Sequence, residues 1–151
     1  MNLKKILVGL DGSPREPSVL AAAVELAQRF DAQLILCRVI GLPPEIPAAA
    51  WQVPGQSLES YLQQHAKEAM LHAAESLPPE IRQRAQFETV TATAWQGLCV
   101  TAQAHDVGLI VIGSHGYGGL DRVLGTTAAR VVNHALCSVL VVRAPGSAVP
   151  T

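Results

Sequence analysis

"DVGLIVIGSHGYGGLDRVLGTTAARVV", residues 106–132, holds the pattern on which the fold turns. A near-continuous apolar run from Val107 to Ile112 breaks into a glycine-rich loop. An alanine-rich segment follows, with Ala128, Val131 and Val132 at helical spacing. Val, Ile and Leu without clean alternation mark a strand covered on both faces, as in a parallel sheet. The segment is therefore a strand, a long loop and a helix. Three further runs read the same way: "KKILVGL" (4–10), "AQLILCRVI" (32–40) and "SVLVVR" (138–143). A fifth, "QFETVTAT" (86–93), is Thr-rich and more polar, which suits a sheet edge.

Helical spacing fills the intervals. Ser13-Pro14-Arg15-Glu16 predicts a capping box with Pro14 in the first helical position. The helix behind it carries Leu20, Ala23, Val24, Ala27 and Phe30 on one face. A second helix is expected over 57–76, with Leu58, Tyr61, Leu62, Ala66, Ala69, Ala73 and Leu77 on its apolar side. A third is expected over 96–105 and a last over 126–136, the latter presenting Leu136 among its apolar residues. The order βαβαβαβαβ predicts an α/β fold, a single doubly wound domain with a five-stranded parallel sheet and helices on both faces. Strand order 3-2-1-4-5 is one of the few candidates that alternation allows. It would open a crevice at the carboxyl ends of strands 1 and 4, where such sheets bind ligands.

The domain is expected to span 1–144, with a Pro-rich insertion at 41–56 and a disordered tail at 145–151. The insertion reads as a cover for the crevice, as a partner contact anchored by Trp51, or as a mobile surface segment. Of the 151 residues, 49% are hydrophobic and 15% charged, a globular composition. Eleven basic and twelve acidic residues are spread along the chain without a basic block, so no nucleic-acid partner is expected. No stretch approaches the roughly 18 apolar residues of a membrane span, and the N-terminus lacks the pattern of a signal peptide. Cys37, Cys99 and Cys137 are odd in number and widely spaced, which reads as small apolar side chains in a reducing, cytoplasmic setting. His65 and His72 could share a helix face, but no third metal ligand is in sight.

Two loops meet at the expected crevice. The first supplies Gly9, Leu10, Asp11 and Ser13. The second supplies Gly113, Ser114, His115 and Gly116 at one end and Gly125, Thr126 and Thr127 at the other. Glycines let backbone N–H groups press against an anion, and a helix start attracts phosphate through its free amides and dipole. Asp11 suits a ribose hydroxyl or a divalent cation beside the phosphates, or it closes an Asx turn. Thr126 is a phosphate donor or an N-cap. His115 is a base or a solvated turn residue. No G-x-x-x-x-G-K-[ST] is present, and "GLDGSPRE" after strand 1 is not G-x-G-x-x-G, so neither a P-loop nor a dinucleotide fingerprint exists here.

"KILVGLDGS", "DVGLIVIGSHGYGGLDRVLGT" and "VVNHALCSVLVVR" resemble the universal stress protein family, in order and over nearly the whole chain. The resemblance implies an adenine nucleotide alpha hydrolase-like fold, sheet order 3-2-1-4-5, and homodimers. One branch binds ATP through G-x-x-G, nine residues, then G-[ST]; another branch lacks both motif and nucleotide. The first pair falls on Gly113 and Gly116, the closing pair on Gly125-Thr126, with eight residues between Gly116 and Gly125 in place of nine. The family acid falls on Asp11, beside base and ribose, and the adenine-edge position on Val39, near Ile112. The implied role is a nucleotide-dependent regulatory homodimer in stress response, binding ATP or ADP with Mg or Mn held at Asp11, and a protein partner the sequence does not name. A nucleotide-free interaction module and a slow ATP hydrolase are the alternatives.

No catalytic residue is expected. Lys4 and Lys5 precede strand 1, far from its carboxyl end, and Arg122, the one loop cation, either reaches the phosphates or faces solvent. The last strand, 138–143, would be a bare apolar edge, so it is expected to pair with the same strand of a second subunit.

Overall fold

The computed structural model describes residues 1–41, 52–53, 56–114 and 124–143. Along the chain run β1 (Lys5–Gly9), α1 (Glu16–Phe30), β2 (Gln33–Ile40), β3 (Gln52–Val53), β4 (Gln56–Ser57) and α2 (Leu58–Ala74). There follow α3 (Pro79–Arg82), β5 (Gln86–Thr91), α4 (Ala94–Ala104), β6 (Leu109–Gly113), α5 (Thr126–His134) and β7 (Ser138–Val142). The main sheet has the order β5-β2-β1-β6-β7, all pairs parallel. Counting only its own five strands, that is 3-2-1-4-5, as expected. The sheet's direction of winding reverses between β1 and β6, so their carboxyl ends frame the crevice.

Alternation within the strands divides the core in two. Ile6, Val8, Leu34, Leu36 and Val111 pack with Leu20 and Ala23 of α1 and Met70 of α2 on one face. Leu7, Ile35, Cys37, Ile110 and Ile112 pack with Leu98 of α4 and Val131 of α5 on the other. Both faces are buried, which is why these strands lack a polar alternate. Thr-rich β5 lies at one edge and β7 at the other.

Several local readings are corrected. Helix α1 begins at Glu16, and Pro17, not Pro14, sits in its first turn. The capping box is displaced because the Asp11 carboxylate takes the Ser13 amide at 2.9 Å. Glu16 therefore reaches one residue further back, accepting the Gly12 amide at 2.6 Å, while the Ser13 hydroxyl accepts from the Arg15 amide. Phe30 is 48% exposed and Leu136 is 84% exposed. The fully buried residues of α2 are Ala66, Met70 and Ala74, with Ala73 packed beside them, so Met70 and Ala74 join the expected apolar face. Tyr61 lies outside that stripe, its ring stacked on His65. The insertion contains the two-residue antiparallel pair β3-β4, unforeseen from its composition. The rest of the insertion, including Trp51, and the tail at 145–151 lie outside the described residues.

Candidate functional site

Above the carboxyl ends of β1, β2 and β6 lies a cleft of about 590 Å³. That volume falls within the roughly 300–1,000 Å³ typical of small-molecule sites. From the first loop, Gly9, Leu10, Asp11 and Ser13 line it; β2 contributes Val39, β6 contributes Ile112 and Gly113, and α5 contributes Thr126 and Thr127.

The first loop is tied down before it can meet a ligand. Leu10 is buried in the core, and its amide donates to the Cys37 carbonyl at 2.9 Å. Asp11 Oδ1 accepts the Ser13 amide, so the Asx turn is formed. Gly12 follows with φ +74°, a conformation that favours glycine. Gly9 serves packing: a Cβ there would stand 2.9 Å from Ile112 Cγ2 and 3.1 Å from Leu98 Cδ2. Asp11 is the one acidic side chain on the cleft among the described residues, and no group of three or more His, Cys, Asp or Glu there could hold a metal ion. A cation entering with a nucleotide would thus rest on the nucleotide's own oxygens and at most this carboxylate.

The second loop divides. Ser114 is buried below the cleft and does not line it. Its amide donates to the Val142 carbonyl at 3.1 Å, and its carbonyl accepts from the Gly125 amide at 3.2 Å. Gly125 is the N-cap of α5, and its N–H donates to the Ser114 carbonyl. Thr126 is the first helical residue, not the cap. Helix geometry leaves the amides of Thr126, Thr127 and Ala128 without intrahelical partners, and all three residues line the cleft. The positive end of α5 is aimed where an anion would sit. His115, Gly116 and Arg122 lie outside the described residues.

Two contributions escaped the sequence reading. Arg38 lines the cleft from β2 and is its only cation among the described residues. A lone charge near the carboxyl end of an otherwise apolar strand was the available signal. Gly97 of α4 lies against Val39: a Cβ there would stand 2.6 Å from Val39 Cγ2 and 2.8 Å from Cγ1. The missing side chain lets α4 press on β2 and fixes where Val39 stands.

Beside the cleft, Cys37 is buried within the α4 side of the sheet. Burial pushes its thiol up to about 11, only partly offset by a hydrogen bond to the Thr101 hydroxyl, with the Glu88 charge adding to the rise. Cys99 and Cys137 are also free and raised, chiefly by burial.

The sequence profile of the Universal stress protein family matches residues 2–143. The chain belongs to the universal stress protein family. Universal stress protein A homolog 2 of Coxiella burnetii is 35% identical over 147 residues, covering 97% of this chain and 99% of that protein. The universal stress protein UspA of Lactobacillus plantarum, 28% identical, superposes with a TM-score of 0.72 over 95% of this chain and 99% of its own. A universal stress protein of Archaeoglobus fulgidus solved in complex with dAMP shares the fold, with a TM-score of 0.60 and 22% identity over 93% of this chain and 98% of that one. Within this universal stress protein, no helix of the described residues is long and apolar enough to cross a membrane.

Proposed function

We propose that this universal stress protein binds an adenine nucleotide, ATP or ADP, in the cleft above β1, β2 and β6, and that occupancy regulates a homodimer in a stress response. The observation that carries the reading is the meeting of an apolar wall with helix-start amides in one cleft. Val39 and Ile112 form the wall, and the free amides of Thr126, Thr127 and Ala128 stand beside it. The Archaeoglobus fulgidus relative in complex with dAMP supports the ligand class by analogy. Asp11, on the same lining, would take a ribose hydroxyl or a nucleotide-bound Mg²⁺ or Mn²⁺. The phosphates would rest on α5, so binding and release would act on both ends of the loop between Ser114 and Gly125.

Chemistry at the γ-phosphate needs an oriented water and charge relief. The described lining offers one carboxylate already engaged with Ser13 and no lysine. A binding and signalling role in the cytoplasm therefore fits the lining better than rapid turnover. Calorimetry with ATP and Mg²⁺ tests the reading, together with mass spectrometry of nucleotide released from freshly purified protein. Saturable heat with one site per chain is expected. No heat and no released nucleotide would overturn it.

A further inference from the structure

Arg38 is the sixth residue of β2 and alternates with Cys37 and Val39, which face α4 and α5. Its own side chain therefore leaves the sheet on the α1 side. There the guanidinium lies over Gly12: a Cβ at that position would stand 3.0 Å from both Nη1 and Nη2. Arg38 is half-buried. The two carboxylates of the neighbouring loop are turned to backbone amides, Asp11 to Ser13 and Glu16 to Gly12. Among the described residues Arg38 forms no ion pair, although a guanidinium carries five donors, no acceptor and a permanent charge. A half-buried charge without a partner is costly, and the open side of this one is the cleft.

We infer that Arg38 is a specificity-determining residue that binds a phosphoryl group of the ligand, so that the cleft discriminates a nucleotide from its nucleoside. The inference rests on the nucleotide-binding reading above and adds to it a side-chain cation on β2. The planar fork matches two phosphoryl oxygens at once, a geometry that neither lysine nor the amides of α5 reproduce. Glycine at position 12 gives the fork its room: any side chain there would meet the guanidinium. With Asp11 the only acid on the lining among the described residues, Arg38 also offsets a charge that would repel phosphate.

The test compares AMP, ATP and adenosine by calorimetry on the wild-type protein, Arg38→Gln and Arg38→Lys, with thermal unfolding to verify that each variant is folded. The wild type should bind AMP about tenfold or more tighter than adenosine, the scale of a charge-assisted contact. Arg38→Gln should erase most of that preference, weakening AMP and ATP while leaving adenosine within about twofold. Arg38→Lys should restore part of it, and the AMP affinity of wild type should fall with added salt more steeply than that of Arg38→Gln. Equal losses for AMP and adenosine would reduce Arg38 to a structural prop and overturn the inference. An unchanged AMP-to-adenosine ratio in Arg38→Gln would overturn it too, leaving the nucleotide reading intact. A wild-type protein that binds none of the three would overturn both.

Discussion

Gly97→Ala should destabilise this protein even though alanine is the better helix former. In an exposed helix interior the change gains about 1 kcal/mol. Here the new methyl would stand 2.6 Å from Val39 Cγ2 and 2.8 Å from Cγ1. Val39 is β-branched, so it has little rotamer freedom with which to swing aside. Overpacking of this kind costs about 1–3 kcal/mol, leaving a net loss of about 1 kcal/mol. Val39→Ala alone removes two partly buried methyl groups and should also cost about 1 kcal/mol. Combined, the smaller residue 39 makes room for the methyl while the helix keeps its gain, so the double variant should lie near wild type. The coupling is then about 2 kcal/mol, well beyond the additivity expected of independent sites. Urea unfolding followed by far-ultraviolet circular dichroism measures the free energies of all four proteins, and in thermal melts each single variant should lose about 3 °C in Tm. Gly97→Ala that stabilises the wild-type background, or single effects that add within about 0.5 kcal/mol, would refute the close packing of α4 on β2.

Two further outcomes are expected. The Cys37 thiol stays protonated in the folded chain up to about 11 but ionises near 9.0 when unfolded, so stability should be intact below 9 and fall as pH rises from 9 to 11. The loss attributable to this group is on the order of 2–3 kcal/mol, and Cys37→Ala should flatten that limb of a pH series of urea midpoints; an unchanged slope would show that the buried thiol does not cause it. Leu140, 38% exposed on edge strand β7, should be covered in the proposed homodimer. Light scattering should give twice the 15.9 kDa chain mass for the wild type and a monomer for Leu140→Asp, whereas a monomeric wild type at micromolar concentration would contradict assembly through this edge.

Much of the fold is written in strands that need no partner information to be read. Ile6 to Val8 and Ile110 to Ile112 are apolar at every position because the sheet has a helix layer on each side. The helix start was less legible because two carboxylates compete for the same amides: Asp11 takes the Ser13 N–H, and Glu16 must settle for Gly12. At the site, Asp11, Val39, Gly113 and Thr126 are brought onto one lining, as residues placed at strand ends and helix starts should be. Ser114 and Gly125 resemble their neighbours in sequence, yet their backbone groups are consumed by each other and by β7. Only three-dimensional pairing distinguishes a donor aimed at ligand from one already engaged. Arg38 and Gly97 were overlooked for the same reason. One interrupts a strand and the other a helix, and neither interruption has meaning until the facing residue is known.

The hydrogen bond from the Gly125 amide to the Ser114 carbonyl closes the neck of a ten-residue excursion. That bond holds the two ends of the excursion together, next to Gly113 and Thr126 on the cleft. Losing one residue from such a closed loop alters its closure entropy by only about 0.1 kcal/mol. The cost of one residue more or fewer between Ser114 and Gly125 is therefore small beside the hydrogen bond that joins the two ends.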